Sequence, residues 1–594
     1  MRRGWRGDVA IGLAGVFTSL GFAPFNRFYL PVITLAFLYW QWHDASPRLA
    51  MRRGWLFGIG LFTASVSWVY VAMDEFGHMG SSAGALTVLF VAVLSLYTAL
   101  TGWVVKRFCA SDQPAAFLLA GAAGWTLVEW VRGWLFTGFP WLLMGYSQLP
   151  SPMAGYAPVL GVYGISWLTV LVAIIVMFAG RHGQWIRQPK AVLAGLVFSM
   201  AISVWTLVLL QNQPQWFFNK FLFLIDLTLT GSPAIQPLLH GLLQLLVWAI
   251  VLPCLFFLNY LVFVFAMGWL EACFQRRALA MQLGLPAIFL LGALLQWVPW
   301  TQASSEAMPV SLLQGNIPQD IKWERGQQQK TLALYARMTT QRLGDAIIVM
   351  PENALPVYKN YLEANYLKTL AARAKAKGSA LVVGLPVRNE KTGAYYNAMV
   401  AYGLGSGTYL KHHLVPFGEF IPFKDSLGDV LRILDVPMSD FSAGAARQEH
   451  LQVQGHPVAV TICYEDVFPA EVIRYLPKAE MLINASNNAW YGDSLAPHQH
   501  LQIAQMRALE TGRYVLRATT NGISAIIDYQ GHLTARSGQF NQEIITGEAF
   551  MRVGATPFVF YGNSAVLLLI LISLIWVNRA RLQSWVPGSH IAKR

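Results

Sequence analysis

Ala459–Asp466 reads Ala-Val-Thr-Ile-Cys-Tyr-Glu-Asp, a strand-like run that ends in ionisable residues. Its β-branched residues predict a buried strand that ends at Cys463, shortly before Pro469 and a helical pattern. A strand end is held rigidly on one side and is open on the other, which suits a nucleophile. A lone cysteine in such a place is also common as a small buried apolar residue. The stretch therefore predicts a strand and makes Cys463 a candidate nucleophile.

Two other stretches share this layout of an apolar strand followed by an ionisable residue. Ala346–Met350 precedes Glu352, and Gly407–Leu410 precedes Lys411. Taken singly, Glu352 could cap a helix and Lys411 could be a solvated loop charge. Together with Cys463 they place a carboxylate, an amine and a thiol at the ends of three strands, which is sufficient for acyl-transfer chemistry. We therefore predict that Glu352, Lys411 and Cys463 are catalytic.

Strand-like and helix-like patterns alternate through 308–557, which predicts an α/β layered domain. The predicted strands are Val310–Leu313, Ala346–Met350, Ala380–Val383, Ala398–Tyr402, Val458–Ile462, Met481–Asn484, Tyr514–Ala518 and Ser524–Asp528. The predicted helices between them are Arg325–Leu343, Leu362–Lys377 and Gln499–Thr511. The sequence contains no phosphate loop, dinucleotide fingerprint or metal-spaced group of histidines and cysteines. We therefore predict no metal site and no cofactor.

The composition is that of a membrane protein. Of the 594 residues, 55% are hydrophobic and only 12% are charged, against about 25% in soluble domains. The mean hydropathy is +0.44. The net charge of +13 could suggest a nucleic-acid partner, but the basic residues fall between apolar runs rather than in a patch. The composition therefore favours a lipid bilayer and argues against nucleic acid as a partner.

Ten apolar runs are candidate membrane spans, and they divide the chain into domains. We predict a multi-span domain of about nine helices in 1–300, with an unusual inserted pair around 191–277, then a final helix at 563–579 and a tail at 580–594. The first two runs are short, so a tilted or re-entrant hairpin is an alternative. The runs are Val9–Phe22, Phe28–Trp42, Trp55–Met73, Ala85–Val105, Ala115–Trp134, Val159–Ala179, Ala191–Leu210, Leu238–Ala266, Leu279–Val298 and Ser564–Val577.

Basic residues occur at every second loop, and the intervening loops are nearly free of them. By the positive-inside rule both termini are cytoplasmic and 308–557 lies outside, which in a bacterium is the periplasmic face of the inner membrane. Glu129 and Arg132 stand one helical turn apart near the end of a span. Ionisable residues at that depth suggest function, although an i,i+3 pair at the interface is an equal alternative.

Several motifs resemble the nitrilase, or carbon–nitrogen hydrolase, superfamily, and in particular its membrane-embedded branch, the bacterial apolipoprotein N-acyltransferases. Two departures from that branch are visible. Asn488 stands where the family usually has Asp, and the stretch around 211–277 has no recognised counterpart. The motifs are Pro351-Glu-Asn-Ala-Leu-Pro356, Lys411-His-His-Leu-Val-Pro-Phe-Gly-Glu419, Cys463-Tyr-Glu465, Asn484-Ala-Ser-Asn-Asn-Ala-Trp-Tyr-Gly492, Ala496-Pro-His-Gln-His500, Arg507-Ala-Leu-Glu-Thr-Gly-Arg513 and Leu516-Arg-Ala-Thr-Thr-Asn-Gly-Ile-Ser524.

The resemblance implies an α/β/β/α sandwich beside eight membrane helices, so that this chain would have ten. It also implies roles: Glu352 as general base, Cys463 as the nucleophile that forms a thioester, and Lys411 with the N–H of Tyr464 as oxyanion donors. Glu419 would orient Lys411 or the amine that resolves the thioester. The supporting or substrate-binding residues that the resemblance implies are Trp323, Glu419, Tyr464 and Glu465.

By the same resemblance, the acyl donor is a phospholipid such as phosphatidylethanolamine. The acceptor is the α-amino group of the N-terminal diacylglyceryl-cysteine of a lipoprotein. A membrane-anchored amidase or hydrolase of the nitrilase type is the alternative, but ten spans would then be a costly anchor. A transporter or receptor with an inert domain is disfavoured because the three catalytic residues are intact. An apolar lip for lipid entry is predicted at Trp323, Pro416-Phe-Gly418 and Ile421-Pro-Phe423.

Overall fold

The structure is a computed structural model that describes residues 4–77, 80–108, 114–182, 259–260, 279–416, 418–420 and 441–583. Two of the predicted spans, the inserted pair within 191–277, fall almost wholly outside these residues. Phe417 and 421–423 of the predicted lip, and 584–594 of the predicted tail, also lie outside them.

Apolar helices form a helical domain on the N-terminal side, joined by one helix near the C-terminus. In the described part, the helices long and apolar enough to cross a membrane are Ser82–Phe108, Pro114–Arg132 and Pro152–Arg181. The run predicted as one span at Trp55–Met73 is instead bent by 50° between two helices, which together also pass as one span. The helices of this domain are α1 (Gly4–Thr18), α2 (Tyr29–His43), α3 (Pro47–Val66), α4 (Trp68–Val71), α5 (Ser81–Phe108), α6 (Pro114–Arg132), α7 (Ala157–His182), α8 (Leu279–Leu295) and, after the strands, α15 (Ser564–Gln583).

Two large sheets form the sandwich domain, residues 301–554. One has six strands in the order β14-β2-β3-β4-β5-β7, and the other has seven in the order β13-β12-β11-β10-β9-β8-β6. Every predicted strand is confirmed, with ends that differ by a few residues. The strands are β1 (Thr301–Ala303), β2 (Met308–Gln314), β3 (Ile347–Val349), β4 (Ala380–Arg388), β5 (Tyr395–Gly403), β6 (Gly405–Ser406), β7 (Thr408–Leu410), β8 (Leu451–Val453), β9 (His456–Ile462), β10 (Met481–Ser486), β11 (Val515–Thr519), β12 (Ala525–Ile527), β13 (Leu533–Arg536), β14 (Glu543–Ala549) and β15 (Arg552–Gly554).

Helices cover the outer faces of both sheets. Leu334, Tyr335 and Leu370 from the helices outside the six-stranded sheet share a buried cluster with Ile348 and Leu381 of that sheet. A second cluster fills the space between the sheets. The helices are α9 (Arg325–Gln341), α10 (Lys359–Leu362), α11 (Lys368–Ala376), α12 (Pro469–Val472), α13 (Ala496–Thr511) and α14 (Pro557–Tyr561). The predicted α/β/β/α sandwich is confirmed.

The outer face of the seven-stranded sheet is where the two domains meet. The core of the helical domain continues without a break into Tyr464, Val467 and Phe468, just after β9, and into Ile503 and Met506 of α13. The residues that follow Cys463 are therefore packed against the helical domain. The predicted nucleophile lies at the junction of the two domains.

Candidate active site

The three predicted catalytic residues lie together in the cleft between the two sheets. Glu352 follows β3 and Lys411 follows β7, both in the six-stranded sheet, while Cys463 follows β9 in the seven-stranded sheet. All three are buried, with Lys411 only 1% exposed. Lys411 is therefore no solvated loop charge. Glu352 caps no helix either, because the next described helix begins only at Lys359.

Lys411 binds two carboxylates. Its Nζ is 3.2 Å from Oε1 of Glu352 and 2.8 Å from Oε1 of Glu419. Burial alone would lower the pKa of Lys411, but Glu352, Glu419 and Cys463 together raise this pKa well above its usual value. Lys411 is consequently a permanent cation at physiological pH. It holds Glu352 and Glu419 beside each other despite their like charge.

Two asparagines that the sequence reasoning missed complete the surroundings of Glu352. Asn397 Nδ2 donates to Oε1 of Glu352 at 2.7 Å and to Oε1 of Glu419 at 3.3 Å. The backbone N–H of Asn487 donates to Oε2 of Glu352 at 2.7 Å. Each oxygen of the Glu352 carboxylate therefore has a hydrogen-bond donor. Asn397 is a polar residue in the middle of an apolar buried strand, and that signal could have marked it.

Cys463 begins a one-turn 3₁₀ helix, Cys463–Val467. Its φ is +53°, a left-handed conformation that costs a non-glycine residue free energy and that concentrates at functional sites. Burial raises the pKa of the Cys463 thiol, Glu352 raises it further, and Lys411 opposes them. The thiol is therefore protonated at rest, so the predicted nucleophile would have to pass its proton to a base.

Glu465 holds this turn through several hydrogen bonds and is only 2% exposed. Its carboxylate accepts N–H groups of Ile462 at 2.7 Å, His412 at 2.6 Å and His413 at 3.0 Å, and the hydroxyl of Tyr409. These partners belong to the ends of β9 and β7. Glu465 thus ties the strand that precedes Cys463 to the strand that precedes Lys411.

The helical domain forms one wall of the site. The hydroxyl of Tyr464 donates to the carbonyl of Gly138 at 3.0 Å, and the ring of Trp141 stacks on the ring of Tyr464 with centroids 6.5 Å apart. Glu129 accepts the N–H of Met144 at 2.9 Å, and Arg132 donates to the carbonyl of Trp141 at 2.7 Å. The two ionisable residues of this span therefore hold the loop that packs against Tyr464.

Trp323 lies in the loop that precedes α9, next to a buried lysine. Lys322 is 1% exposed and its Nζ donates to the backbone carbonyl of Glu352 at 3.4 Å. Gln319 accepts the side-chain N–H of Asn487 at 2.7 Å. The 319–323 loop therefore lies against the residue predicted to be the general base, and Trp323 itself is half-buried. In the described part of the chain no group of three potential metal ligands occurs.

Comparison with known proteins identifies the family. The family model of the apolipoprotein N-acyltransferase N-terminal domain matches residues 14–175, and that of carbon-nitrogen hydrolases matches residues 310–556. The apolipoprotein N-acyltransferase of Nitrosomonas europaea is 38% identical over 95% of both chains. That of Methylococcus capsulatus is 37% identical over 92% of this chain and 91% of its own, and that of Azotobacter vinelandii is 34% identical over 99% and 98%. The chain belongs to the apolipoprotein N-acyltransferase family.

Membership of this family confirms three predictions made from the motifs: the family itself, a helical membrane domain joined to a nitrilase-like sandwich, and an acyltransferase activity. Among solved structures, that of Saccharomyces cerevisiae Nit3, a member of branch 10 of the nitrilase superfamily, covers 45% of this chain and 98% of its own at 20% identity, with a TM-score of 0.31.

Proposed function

We propose that the chain moves a fatty acyl group from a phospholipid, through a thioester on Cys463, to the α-amino group of the N-terminal diacylglyceryl-cysteine of lipoproteins. The observation that carries this proposal is the cluster of Glu352, Lys411 and Glu419 beside a left-handed Cys463, at the junction with the apolar helical domain. The names of the relatives, which are apolipoprotein N-acyltransferases, support the acceptor. The donor follows from the need for an acyl ester that reaches a site beside membrane helices.

In the first half-reaction Glu352 takes the proton of the Cys463 thiol as the sulfur attacks the ester carbonyl of the lipid. The negative charge that develops on the carbonyl oxygen is stabilised by Lys411 and by the N–H of Tyr464. The tetrahedral intermediate collapses, the lysophospholipid alkoxide leaves with the proton from Glu352, and the acyl group stays on sulfur. No oxidant or metal is required.

In the second half-reaction the neutral α-amine attacks the thioester carbonyl, the same donors stabilise the oxyanion, and Cys463 leaves. Glu352 accepts the ammonium proton and returns a proton to the sulfur. Glu419 holds Lys411 between two carboxylates in both steps, so that the ammonium group stays in place while charge moves around it. The support for an amine rather than water as the group that resolves the thioester is the activity named for the relatives, which are apolipoprotein N-acyltransferases.

The proposed topology has both termini in the cytoplasm and the sandwich domain in the periplasm, with a multi-span domain in 1–300 and a last helix in 563–579. Its support is the distribution of basic residues. Trp323 and the Pro416–Gly418 segment are proposed to border the path by which lipid enters.

The decisive experiment supplies purified chain with a phospholipid that carries a labelled acyl group and then with a lipopeptide acceptor. We expect the acyl mass on the peptide that contains Cys463, and its transfer to a lipopeptide with a free α-amine but not to one whose α-amine is acetylated. Cys463→Ser should show neither. Release of free fatty acid with no amide product would favour the membrane-anchored hydrolase, and no acyl mass on wild-type Cys463 would refute the thioester.

A further inference from the structure

A buried polar cluster lies against the turn that carries Cys463. Its members are Asp466 of the turn, His500 of α13, Arg517 of β11 and Asn488, which follows β10. None of the four is more than 2% exposed. Buried polar groups must satisfy one another, so their hydrogen bonds determine which atoms carry protons.

The direction of each bond follows from arginine, which can only donate. Arg517 Nη2 is 3.2 Å from Oδ1 of Asn488, so that oxygen accepts and the amide nitrogen Nδ2 faces the other way. Nδ2 is 3.2 Å from Nδ1 of His500 and must donate to it, which leaves Nδ1 without a proton. The imidazole proton is then on Nε2, which donates to Oδ1 of Asp466 at 2.7 Å.

The charge balance agrees with a neutral imidazole. Arg517 Nη1 is 3.2 Å from the other oxygen of Asp466, so the cluster already holds one cation and one anion. Burial and Arg517 lower the pKa of His500, while Asp466 and the backbone of Cys463 oppose them. The remaining neighbour is the ring of Trp141, 5.5 Å away, from the helical domain. A second proton on His500 would leave an unbalanced buried charge and would clash with Nδ2 of Asn488.

The cluster reaches the nucleophile through Asn484. Arg517 donates to the side-chain oxygen of Asn484, and Nδ2 of Asn484 donates to the carbonyl of Cys463 at 3.4 Å. In a planar trans peptide the C=O and N–H point in opposite directions. Holding the Cys463 carbonyl toward the cluster therefore points the N–H of Tyr464 away from the cluster. The proposed mechanism needs this N–H free to meet the oxyanion on the acyl group.

We propose that Asn488 and His500 are positioning residues that hold the nucleophile turn through a neutral, Nε2-protonated imidazole, and thereby aim the Tyr464 N–H at the developing oxyanion. The inference rests on the proposed function for its kinetic consequence, but the protonation state is a property of the resting chain. It explains why an amide serves at position 488: a carboxylate there would require a proton on Nδ1 and so a charged His500.

The protonation state is tested without substrate, by nitrogen NMR of the full chain labelled at histidine. The signal of His500 is assigned as the one missing from His500→Gln. We expect Nε2 to be the one protonated ring nitrogen. Nδ1 should remain unprotonated even at about pH 6, where an ordinary histidine is largely charged. In Asn488→Asp both nitrogens should be protonated at about pH 7. A charged His500, or a proton on Nδ1, in the wild-type chain would overturn the proposal.

The positioning role is tested by thioester formation. Gln can donate to Asp466 and accept from Asn488 as the neutral imidazole does, so His500→Gln should stay within about threefold of wild type, whereas His500→Leu should lose about 30-fold or more. The double variant Asn488→Asp/His500→Gln should form the thioester more slowly than either single variant, because the Gln oxygen would face a carboxylate. Equal rates for the Gln and Leu variants would refute the role. Absence of thioester in the wild-type chain would instead refute the proposed function and leave the NMR result intact.

Discussion

Cys463 differs from a cysteine that is activated in advance. Burial and the carboxylate of Glu352 raise the pKa of its thiol, and Lys411 opposes them only in part. In the proposed mechanism a thiolate forms only when Glu352 accepts the proton, at the moment when Lys411 is needed for the oxyanion. The Glu352–Lys411–Glu419 cluster suits that exchange, since Lys411 lies between two carboxylates. This arrangement protects a resting thiol from oxidation, because the thiolate is the reactive form.

Substitution of Trp323 gives a first prediction, which concerns the rate of acyl transfer. Its neighbour Lys322 bonds the backbone of Glu352, so the loop that carries Trp323 lies against the site. If the ring covers an acyl chain, its loss should cost about 2–3 kcal/mol of apolar contact. We expect Trp323→Ala to lower the rate of acyl transfer roughly 30–100-fold and Trp323→Phe to keep a substantial part of it. The matched control is Trp297→Ala, since Trp297 is 83% exposed near the end of α8 and should be nearly silent. A Trp323→Ala rate within twofold of wild type would remove Trp323 from the site.

Lys322 gives a second prediction, which concerns the pH dependence of stability. Burial lowers its pKa to about 8, with Glu352 opposing. Below pH 8 the lysine is charged in both folded and unfolded chains, and the folded chain bears the full cost of the buried charge. Between pH 8 and its ordinary value, 10.5, the folded chain loses this proton first, so the contribution of Lys322 to stability rises with pH.

Lys322→Met removes that charge at every pH. The difference in free energy of unfolding between the variant and wild type, from unfolding in detergent, should favour the variant most at about pH 7. This difference should decline by about 3 kcal/mol toward pH ~10.5. The comparison isolates Lys322 because all other titrating groups are common to the two chains. A difference in stability that stays constant across this range would show that the Lys322 pKa is not lowered.

Helix α13 joins the two domains through polar side chains on one of its faces. Gln499 accepts the indole N–H groups of Trp68 at 3.3 Å and Trp141 at 2.6 Å. Gln502 accepts the N–H of Ala23, and Glu510 accepts the N–H of Val162, just after Gly161 interrupts α7 with a φ of +64°. Gln502 and Glu510 therefore accept backbone N–H groups where the helical domain is irregular, and Gln499 accepts two indole N–H groups. The breaks in the helical domain and the sequence of α13 are therefore complementary.

Gln499→Leu should test this joint. Two buried indole N–H groups lose their acceptor and the carbonyl of Ser65 loses its donor, for a destabilisation of about 2–4 kcal/mol. The matched control is Gln505→Leu on the same helix, whose amide bonds Gly531 within the sandwich domain and which should cost about 1 kcal/mol. Thermal unfolding in detergent measures both. Equal losses in the two variants would mean that the joint contributes nothing special.

The elements were largely readable in the sequence, and the contacts between them were not. Alternating apolar runs predicted the strands, and the ionisable residue after each of three strands predicted Glu352, Lys411 and Cys463. The left-handed φ of Cys463 had no such signal, because the residue is not glycine. The predicted helix at Leu362–Lys377 contains a π-helical segment at Glu363–Leu367. The sequence did not predict this segment because local helix propensity does not distinguish an α turn from a π turn.

Residues that act through distant partners were missed for the same reason. Lys322 and Asn397 meet Glu352 only in the folded chain, and His500 meets Asp466 across 34 positions. Nothing in the spacing of those residues marks the encounter. Gln499 and Trp141 are 358 positions apart and belong to different domains. A polar residue inside an apolar strand, such as Asn397, was the one usable sign.

The helical domain has two unlike ends. At one end Lys106 donates to the carbonyl of His43 and Arg181 pairs with Asp44, while Arg52 pairs with Asp8. The opposite end carries the contacts with the sandwich domain through the loops at Ala23, Trp68 and Trp141. Basic residues collect on the side of a membrane that faces the cytoplasm. The sandwich domain should therefore lie on the other side, in the periplasm.

This arrangement predicts the behaviour of reporters fused to the chain. Alkaline phosphatase, which is active only in the periplasm, should be active when fused after Trp300, at the end of the helical domain that meets the sandwich. Fused at the C-terminus it should be inactive, because α15 starts beside the sandwich and ends in Arg579 and Arg581. A fluorescent protein that folds only in the cytoplasm serves as the reciprocal control and should give the opposite pattern at both sites.

A phosphatase fusion within 212–232 should be active if the predicted inserted pair crosses the membrane twice. Phosphatase activity at the C-terminus would reverse the assignment of α15, and activity at neither of the first two sites would place the sandwich domain in the cytoplasm.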